Sequence, residues 1–225
     1  MGSADMKHTE SAKRRHFGSI LTMVLVASVL LAGCVQKGPI LVDAVYQVPV
    51  GVTPDRAPEA VVGLIPFKDE RGKTDSVAGK RFNSLSDTTN DLVVQGTVSD
   101  KVTTAVRRSL VARDITVKEL AGWDLTEPGI PAAPVSLVLS GEIKTFWAEA
   151  VSSVANTKVT ARVEVRVVAA DPVQKKIVRV LNVNSSLERT NVTFSSAFVE
   201  ATMSEALSAA INQIFSDQEF ANGFK

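Results

Sequence analysis

Histidine is nearly missing from this 225-residue chain: the only two, His8 and His16, fall within the first 33 residues. Cysteine is scarcer, with Cys34 alone. Beyond Cys34 there is neither an imidazole nor a thiol. Ser-His and Cys-His nucleophilic catalysis are excluded there, as are the usual zinc, copper and iron ligand sets. No metal and no diffusible cofactor is expected. A single cysteine closes no intrachain disulfide, so stability must come from a packed core. Aromatic residues make up only 5% of the chain, with one tyrosine, Tyr46. Any reaction chemistry would rest on carboxylates, Lys, Arg, Ser/Thr or Tyr46.

A surplus of either charge is also lacking. The chain has 25 Lys+Arg and 24 Asp+Glu. Setting aside Lys7, Lys13, Arg14 and Arg15, and Asp5 and Glu10, leaves 21 basic and 22 acidic residues after position 33, a formal charge of −1. No basic field is present to attract nucleic acid, and no acidic tail exists. Long apolar runs are absent too. The uncharged run from Ile20 to Ala32 is shorter than the roughly 20 residues a spanning helix needs.

That run belongs to a three-part pattern. Lys7, Lys13, Arg14 and Arg15 form a basic front, the apolar stretch follows, and Leu31-Ala32-Gly33-Cys34 places small residues before a cysteine. This order is that of a bacterial secretory leader ending in a lipobox. Residues 1–33 are expected to be removed as a signal peptide, with Cys34 as the lipid attachment site. Lipoproteins of this kind carry a diacylglyceryl thioether and an N-acyl chain there. One acyl chain gives marginal membrane binding; two or more anchor stably. Residues 34–60 are expected to be the lipidated cysteine and a tether. Ile40 to Tyr46 is a possible edge strand within it, and Pro49, Pro54 and Pro58 break regular structure. Residues 61–225 are expected to form a single periplasmic α/β domain, large enough to have a real core.

Within that domain, Val61 to Phe67 is an apolar, β-branched run suited to a buried strand. A polar stretch from Lys68 to Asn90 reads as a long loop. Val98, Val102, Val106 and Leu110 recur every four residues and predict an amphipathic helix from about Thr97 to Asp114, capped by Thr97 or Ser99. Ile115 to Glu119 reads as a returning strand, and residues 121–134 as a loop holding five breakers, Gly122, Pro128, Gly129, Pro131 and Pro134. Three strands then form an antiparallel meander. The second of them is the clearest: Val159, Ala161, Val163, Val165 and Val167 alternate with Lys158, Thr160, Arg162, Glu164 and Arg166. A second helix is predicted from Ser196 to Ser216, with Val199, Met203, Ala206, Leu207, Ala210, Ile211 and Ile214 as its stripe. The expected fold is an α/β two-layer sandwich, a mixed, mostly antiparallel sheet of about five strands with two amphipathic helices on one face.

Candidate binding residues are few. Asp69 and Arg71 sit just past a strand end, where sites often form in open α/β sheets. The alternative is a solvated loop with a weak surface ion pair. Asp69 and Glu70 do not suit glycosidase chemistry, because adjacent carboxylates in a loop point apart while that reaction needs them about 5–10 Å apart across a substrate. Trp123, in the Gly/Pro-rich loop, is a candidate surface anchor. Trp147 falls in phase with Leu139 and Ile143 and is expected in the core. Arg162, Glu164 and Arg166 share one strand face with Lys158, either a docking surface or the ordinary wet face of a half-buried sheet. No catalytic residue is assigned.

The chain resembles the YajG-type lipoproteins of Gram-negative bacteria. The resemblance is carried by Leu31-Ala32-Gly33-Cys34, by Val61 to Phe67 followed by Asp69 and Arg71, by Val98-Ser99-Asp100-Lys101-Val102 to Asp114, by Ser136-Leu137-Val138-Leu139-Ser140-Gly141, and by the closing helix from Ser196. It implies an outer-membrane-anchored periplasmic lipoprotein and brings no established reaction or substrate. Loops 68–90 and 121–134 depart from that pattern. Val35 follows the cysteine where inner-membrane retention in enteric bacteria uses aspartate, which also implies the outer membrane. The expected role is a non-enzymatic lipoprotein that binds another envelope component. The alternatives are an accessory subunit of an ABC-type lipid-transport or assembly machine, which such a domain also resembles, and, less favoured by its side chains, a carboxylate-based cell-wall hydrolase.

Overall fold

A computed structural model describes residues 38–51, 60–84, 87–218 and 220. The leader and Cys34 lie outside the described residues, as do residues 52–59 of the expected tether.

The described elements are β1 (Ile40–Leu41), β2 (Val61–Leu64), β3 (Lys68–Asp69), β4 (Val77–Asn83), β5 (Thr88–Val93), α1 (Val98–Val111), β6 (Thr116–Glu119), β7 (Leu137–Ser152), β8 (Thr157–Asp171), β9 (Lys176–Asn191) and α2 (Ser196–Ser216). All the strands join one mixed sheet. The 16-residue β7 is its spine. Along one edge it pairs in parallel with β2, then β3, then β4. Along the other it pairs antiparallel with β8, which carries β9. β6 extends the sheet beyond β2, and β5 and β1 extend it beyond β4.

This corrects the expected five-strand sandwich with two amphipathic helices on one face. Among the described residues the sheet has nine strands and the structure is mostly β. The polar stretch 68–90 is largely strand. β4 and β5 carry Gly79, Lys80, Asn83, Asn90 and Asp91, residue types depleted in strands. The ladder of β4 to β7, and of β5 to β4, overrides that local preference. β1 and β3 are two residues each, too short to show any periodicity.

The helices differ from each other. α1 starts at a capping box: Thr97 Oγ1 accepts from the Asp100 N–H at 3.0 Å, and Asp100 Oδ2 accepts from the Thr97 N–H at 3.3 Å. Val98, Val102, Val106 and Leu110 are buried as their spacing predicts, with Ala105 beside them, while Val111 is exposed. α2 is capped by Ser195, whose Oγ accepts from the Phe198 N–H at 3.1 Å. It has no broad polar face. Thr202, Ser204 and Ser208 are buried with its apolar stripe. The reason is a neighbour invisible in the helix's own sequence. Residues 42–47 run alongside it, with Val42, Ala44 and Tyr46 buried. Ser204 Oγ accepts from the Val45 N–H at 2.9 Å and Ser208 Oγ from the Gln47 N–H at 2.8 Å. Tyr46 Oη donates to Asn212 Oδ1 at 2.6 Å.

Both helices feed one main core with Leu64, Phe67, Leu92, Leu139, Ile143, Phe146 and Val165. α1 also closes the gap between β2 and β3: Thr103 Oγ1 accepts from the Phe67 N–H, and Ser99 Oγ donates to the Phe67 carbonyl. A second, smaller cluster of Ile65, Val135 and Val138 is covered by Leu120, Trp123 and Ala133.

Close backbone approach fixes one glycine in the spine. A Cβ at Gly141 would lie 2.0 Å from the Arg166 carbonyl oxygen and 2.7 Å from the Phe67 ring. Gly141→Ala is therefore expected to destabilise the protein by about 3 kcal/mol through overpacking, read as a lower urea midpoint with an unchanged denaturant slope. An unaltered midpoint would show that the two strands separate freely there.

Candidate functional site

The pair expected to form a polar pocket is instead a buried clamp. β3 ends at Asp69 and the chain turns back, so that Arg71 lies over the sheet with its side chain 4% exposed against 12% for Asp69. Arg71 Nε donates to Asp69 Oδ1 at 2.8 Å and Nη2 to Oδ2 at 2.7 Å, a two-point pairing. Nη1 donates to the carbonyls of Val77 at 2.7 Å and Phe146 at 3.1 Å. Nη2 also approaches the Asp75 carbonyl at 3.5 Å. The guanidinium thus ties β3 to the start of β4 and to β7, and no donor is left for a ligand. It is neither an open pocket nor a solvated surface pair.

Burial is the largest single influence on Asp69 and opposes its ionisation. The Arg71 side chain, backbone N–H and charge together outweigh burial and hold the carboxyl below its ordinary value.

Trp123 is half-buried over the smaller cluster, and its Nε1 donates to the Thr126 carbonyl at 2.8 Å. Thr126 is held in turn by Asp124, whose Oδ1 accepts from its N–H and its hydroxyl. The indole's polar atom is satisfied within the loop, and its ring serves as a lid on Ile65 and Val138.

Trp147 is not in the core. A bulge between Ile143 and Thr145 inserts one residue into β7. Ile143 faces the helices; after the bulge Phe146 does so, fully buried. Trp147 is thereby turned to the opposite, outer face, half-buried, with Lys73 Nζ 5.6 Å from its ring centre. Lys144, the extra residue, was the one available signal: an apolar residue at 143 and the next at 146 break period two.

The outer face around Trp147 is ordered by register. Trp147, Arg162 and Ser186 form one row across β7, β8 and β9; Thr145, Glu164 and Asn184 form the next; Glu142, Arg166 and Asn182 the one after. Glu142 pairs with Lys144 at 2.8 Å and Arg166 at 3.4 Å, and the Lys144 bond, ahead of Arg166, keeps its carboxyl below the ordinary range. Arg162 and Glu164 form no ion pair among the described residues. Thr145, Arg162, Glu164, Asn184 and Ser186 line a shallow depression of about 300 Å³. Sequence periodicity placed Arg162, Glu164 and Arg166 on this face; it did not place Trp147 beside them.

Among the described residues, no group of three or more Asp, Glu, His or Cys is placed to hold a metal, and no helix is long and apolar enough to cross a membrane. Cys34 lies outside the described residues.

Taken as a class, this is a mixed-sheet, mostly β domain whose outer sheet face carries polar side chains around one indole. No family model matches the chain, and no curated protein does. Solved structures with distant likeness include a DUF330-family protein from Xanthomonas campestris, at TM-score 0.49 and 12% identity, covering 79% of this chain and 90% of that one. A hypothetical protein from Chlamydia trachomatis has a TM-score of 0.43 at 14% identity, covering 72% and 96%. A neuraminyllactose-binding hemagglutinin homolog from Helicobacter pylori has 0.43 at 12%, covering 79% and 96%. At such distances none bears on what this chain does.

The clamp makes an acid-sensitive contribution to stability. Because the folded-state value for Asp69 is depressed, its contribution is full above the unfolded value of about 4 and is lost as pH falls through the folded value. Asp69→Asn is expected to cost about 2 kcal/mol at neutral pH, where a charged hydrogen-bond partner is lost. The gap to the parent should narrow below about pH 4. Denaturation midpoints across pH read both; a gap independent of pH would contradict the pairing.

Proposed function

We propose that this is a lipoprotein anchored through Cys34 in the outer membrane, whose domain faces the periplasm and docks another envelope component without catalysing a reaction. The observation that carries the docking part is the outer face around Trp147. An indole is held half-exposed there by the β7 bulge, beside an Arg162 and a Glu164 that have no ion-pair partner among the described residues. Tryptophan and arginine dominate the energetics of protein contacts because they bury large area while keeping a polar handle. The mixed charge of the face, with Arg162 and Arg166 alternating with Glu142 and Glu164, favours a polar protein partner over an anionic polymer.

The anchoring part is supported by the leader pattern and by the cysteine placed directly after Leu31-Ala32-Gly33. The non-enzymatic part is supported by the lack of imidazole and thiol beyond Cys34 and by an Asp69–Arg71 pair fully used within the fold.

Two measurements check the proposal. Cys34→Ala should abolish incorporation of labelled palmitate and release the protein from the membrane fraction; retained label would refute attachment at this residue. In cells, crosslinking followed by affinity recovery should yield a constant partner that Trp147→Ala with Arg162→Glu loses, while a cooperative thermal transition shows that the variant domain is still folded. Recovery of lipid-transporter subunits would identify the accessory-subunit role. A partner retained by the double variant would rule out this face.

A further inference from the structure

Several strands stop in one row at one end of the sheet. Thr88 pairs with Asn83, Asn83 with Ser152, Ser152 with Thr157, and Thr157 with Asn191. Just past the row, the β7–β8 turn presents Val154, 86% exposed, and the segment after β9 presents Val192, 78% exposed. One residue inside the row, Phe82 and Val151 pair side by side and both are exposed. In the next row in, Arg81 stacks on Phe194 at 3.8 Å and has no carboxylate partner among the described residues. Nearby, Lys158 pairs with Glu188 and Arg189 with Glu205, while Asp87, beside Thr88, and Lys80, Asp91 and Glu149 in the rows further in form no ion pair among the described residues.

The described chain begins close to this row. β1 runs parallel to β5 with Ile40 opposite Leu92, and Asn90 Nδ2 donates to the Gly38 carbonyl at 2.9 Å. Gly38 is thus level with Asn90, two residues from Thr88 and the row. Cys34 is four residues before Gly38, and an extended chain spans at most about 3.6 Å per residue, so the two Cα atoms are within about 14 Å. The β8–β9 turn, by contrast, is separated from the β7–β8 turn by the fifteen residues of β8, about 50 Å at the usual strand rise. Val173 in that far turn is also 86% exposed. Exposure alone therefore does not distinguish the two ends; the length of chain to Cys34 does.

We propose that the end of the sheet bearing Val154 and Val192 rests on the lipid surface, with these valines entering the interface and Arg81 facing phosphate headgroups. The inference rests on lipid attachment at Cys34. An anchor held within 14 Å of Gly38 keeps this end at the bilayer, where exposed apolar side chains gain from leaving water and an unpaired cation gains from anionic lipid. The same geometry leaves the outer face around Trp147 beside the membrane rather than against it, open to a partner.

The thioether would consume the sulfur of the only cysteine, so a cysteine introduced into the lipidated full chain is its sole free thiol. Val154→Cys, Val192→Cys and Val173→Cys, each labelled with an environment-sensitive fluorophore, can be reconstituted into phosphatidylcholine–phosphatidylglycerol vesicles with and without brominated acyl chains. Labels at 154 and 192 are expected to lose emission to the brominated lipid, because burial in the interface brings them to the acyl chains, and the label at 173 to lose none. Equal responses at 154 and 173, or no quenching at 154 and 192 in protein that floats with the vesicles after a high-salt wash, would overturn the orientation. Protein that fails to float overturns the lipid attachment itself, and the orientation with it.

Discussion

The backbone ladder of β7 is the constraint on which the rest of the structure depends. Of its sixteen residues, those from Val138 to Ser152 pair with β8 on one edge, Lys144 alone being passed over. On the other edge they receive three separate short strands in succession. β3 is two residues long, and the pairs β2–β6 and β4–β5 would each be marginal alone as two-stranded units; β7 offers backbone groups that extend each of them into a sheet. The one interruption, the bulge before Thr145, reverses which side chains face the helices. It buries Phe146 and turns Trp147 outward. The composition of the core and the character of the outer face are thus set by the same inserted residue.

Two polar devices secure what the ladder leaves open. Where the chain passes from β3 to β4, Arg71 binds the Asp69 carboxylate and two backbone carbonyls, Val77 and Phe146, from different strands. A buried charge of this kind is tolerated only with all its donors satisfied, and here they are. Where residues 42–47 lie along α2, the serines of the helix accept the N–H groups of Val45 and Gln47. Serine is a mediocre helix former, and its presence at 204 and 208 is explained by the neighbouring segment rather than by the helix.

Legibility in the sequence followed the range of the interaction. The N-cap of α1 and the alternation of β8 are local: Thr97 was one of two caps readable at the helix start, and the alternation was readable at Val159–Val167. β4 and β5 were not, because Lys80, Asn83, Asn90 and Asp91 favour loops locally and become strand only by pairing with β7 and with each other. For the candidate site, Arg162, Glu164 and Arg166 were assigned to the correct shared face, whereas Trp147 was misplaced by a single added residue. Asp69 and Arg71 were correctly brought together, but their burial depends on β4 and Phe146, which are distant in the chain.

The sequence by itself determined the absence of imidazole and thiol chemistry beyond Cys34, the balance of charge, the two helices and the clearest strand, because each is a matter of composition or of spacing within a few residues. Only the tertiary structure decided that the polar stretch after Phe67 is sheet, that Arg71 is a clamp with no free donor, and that Trp147 stands on the outer face. Those outcomes turn on which backbone groups β7 leaves to be paired and on where its register slips, and strand register is fixed between segments rather than within one.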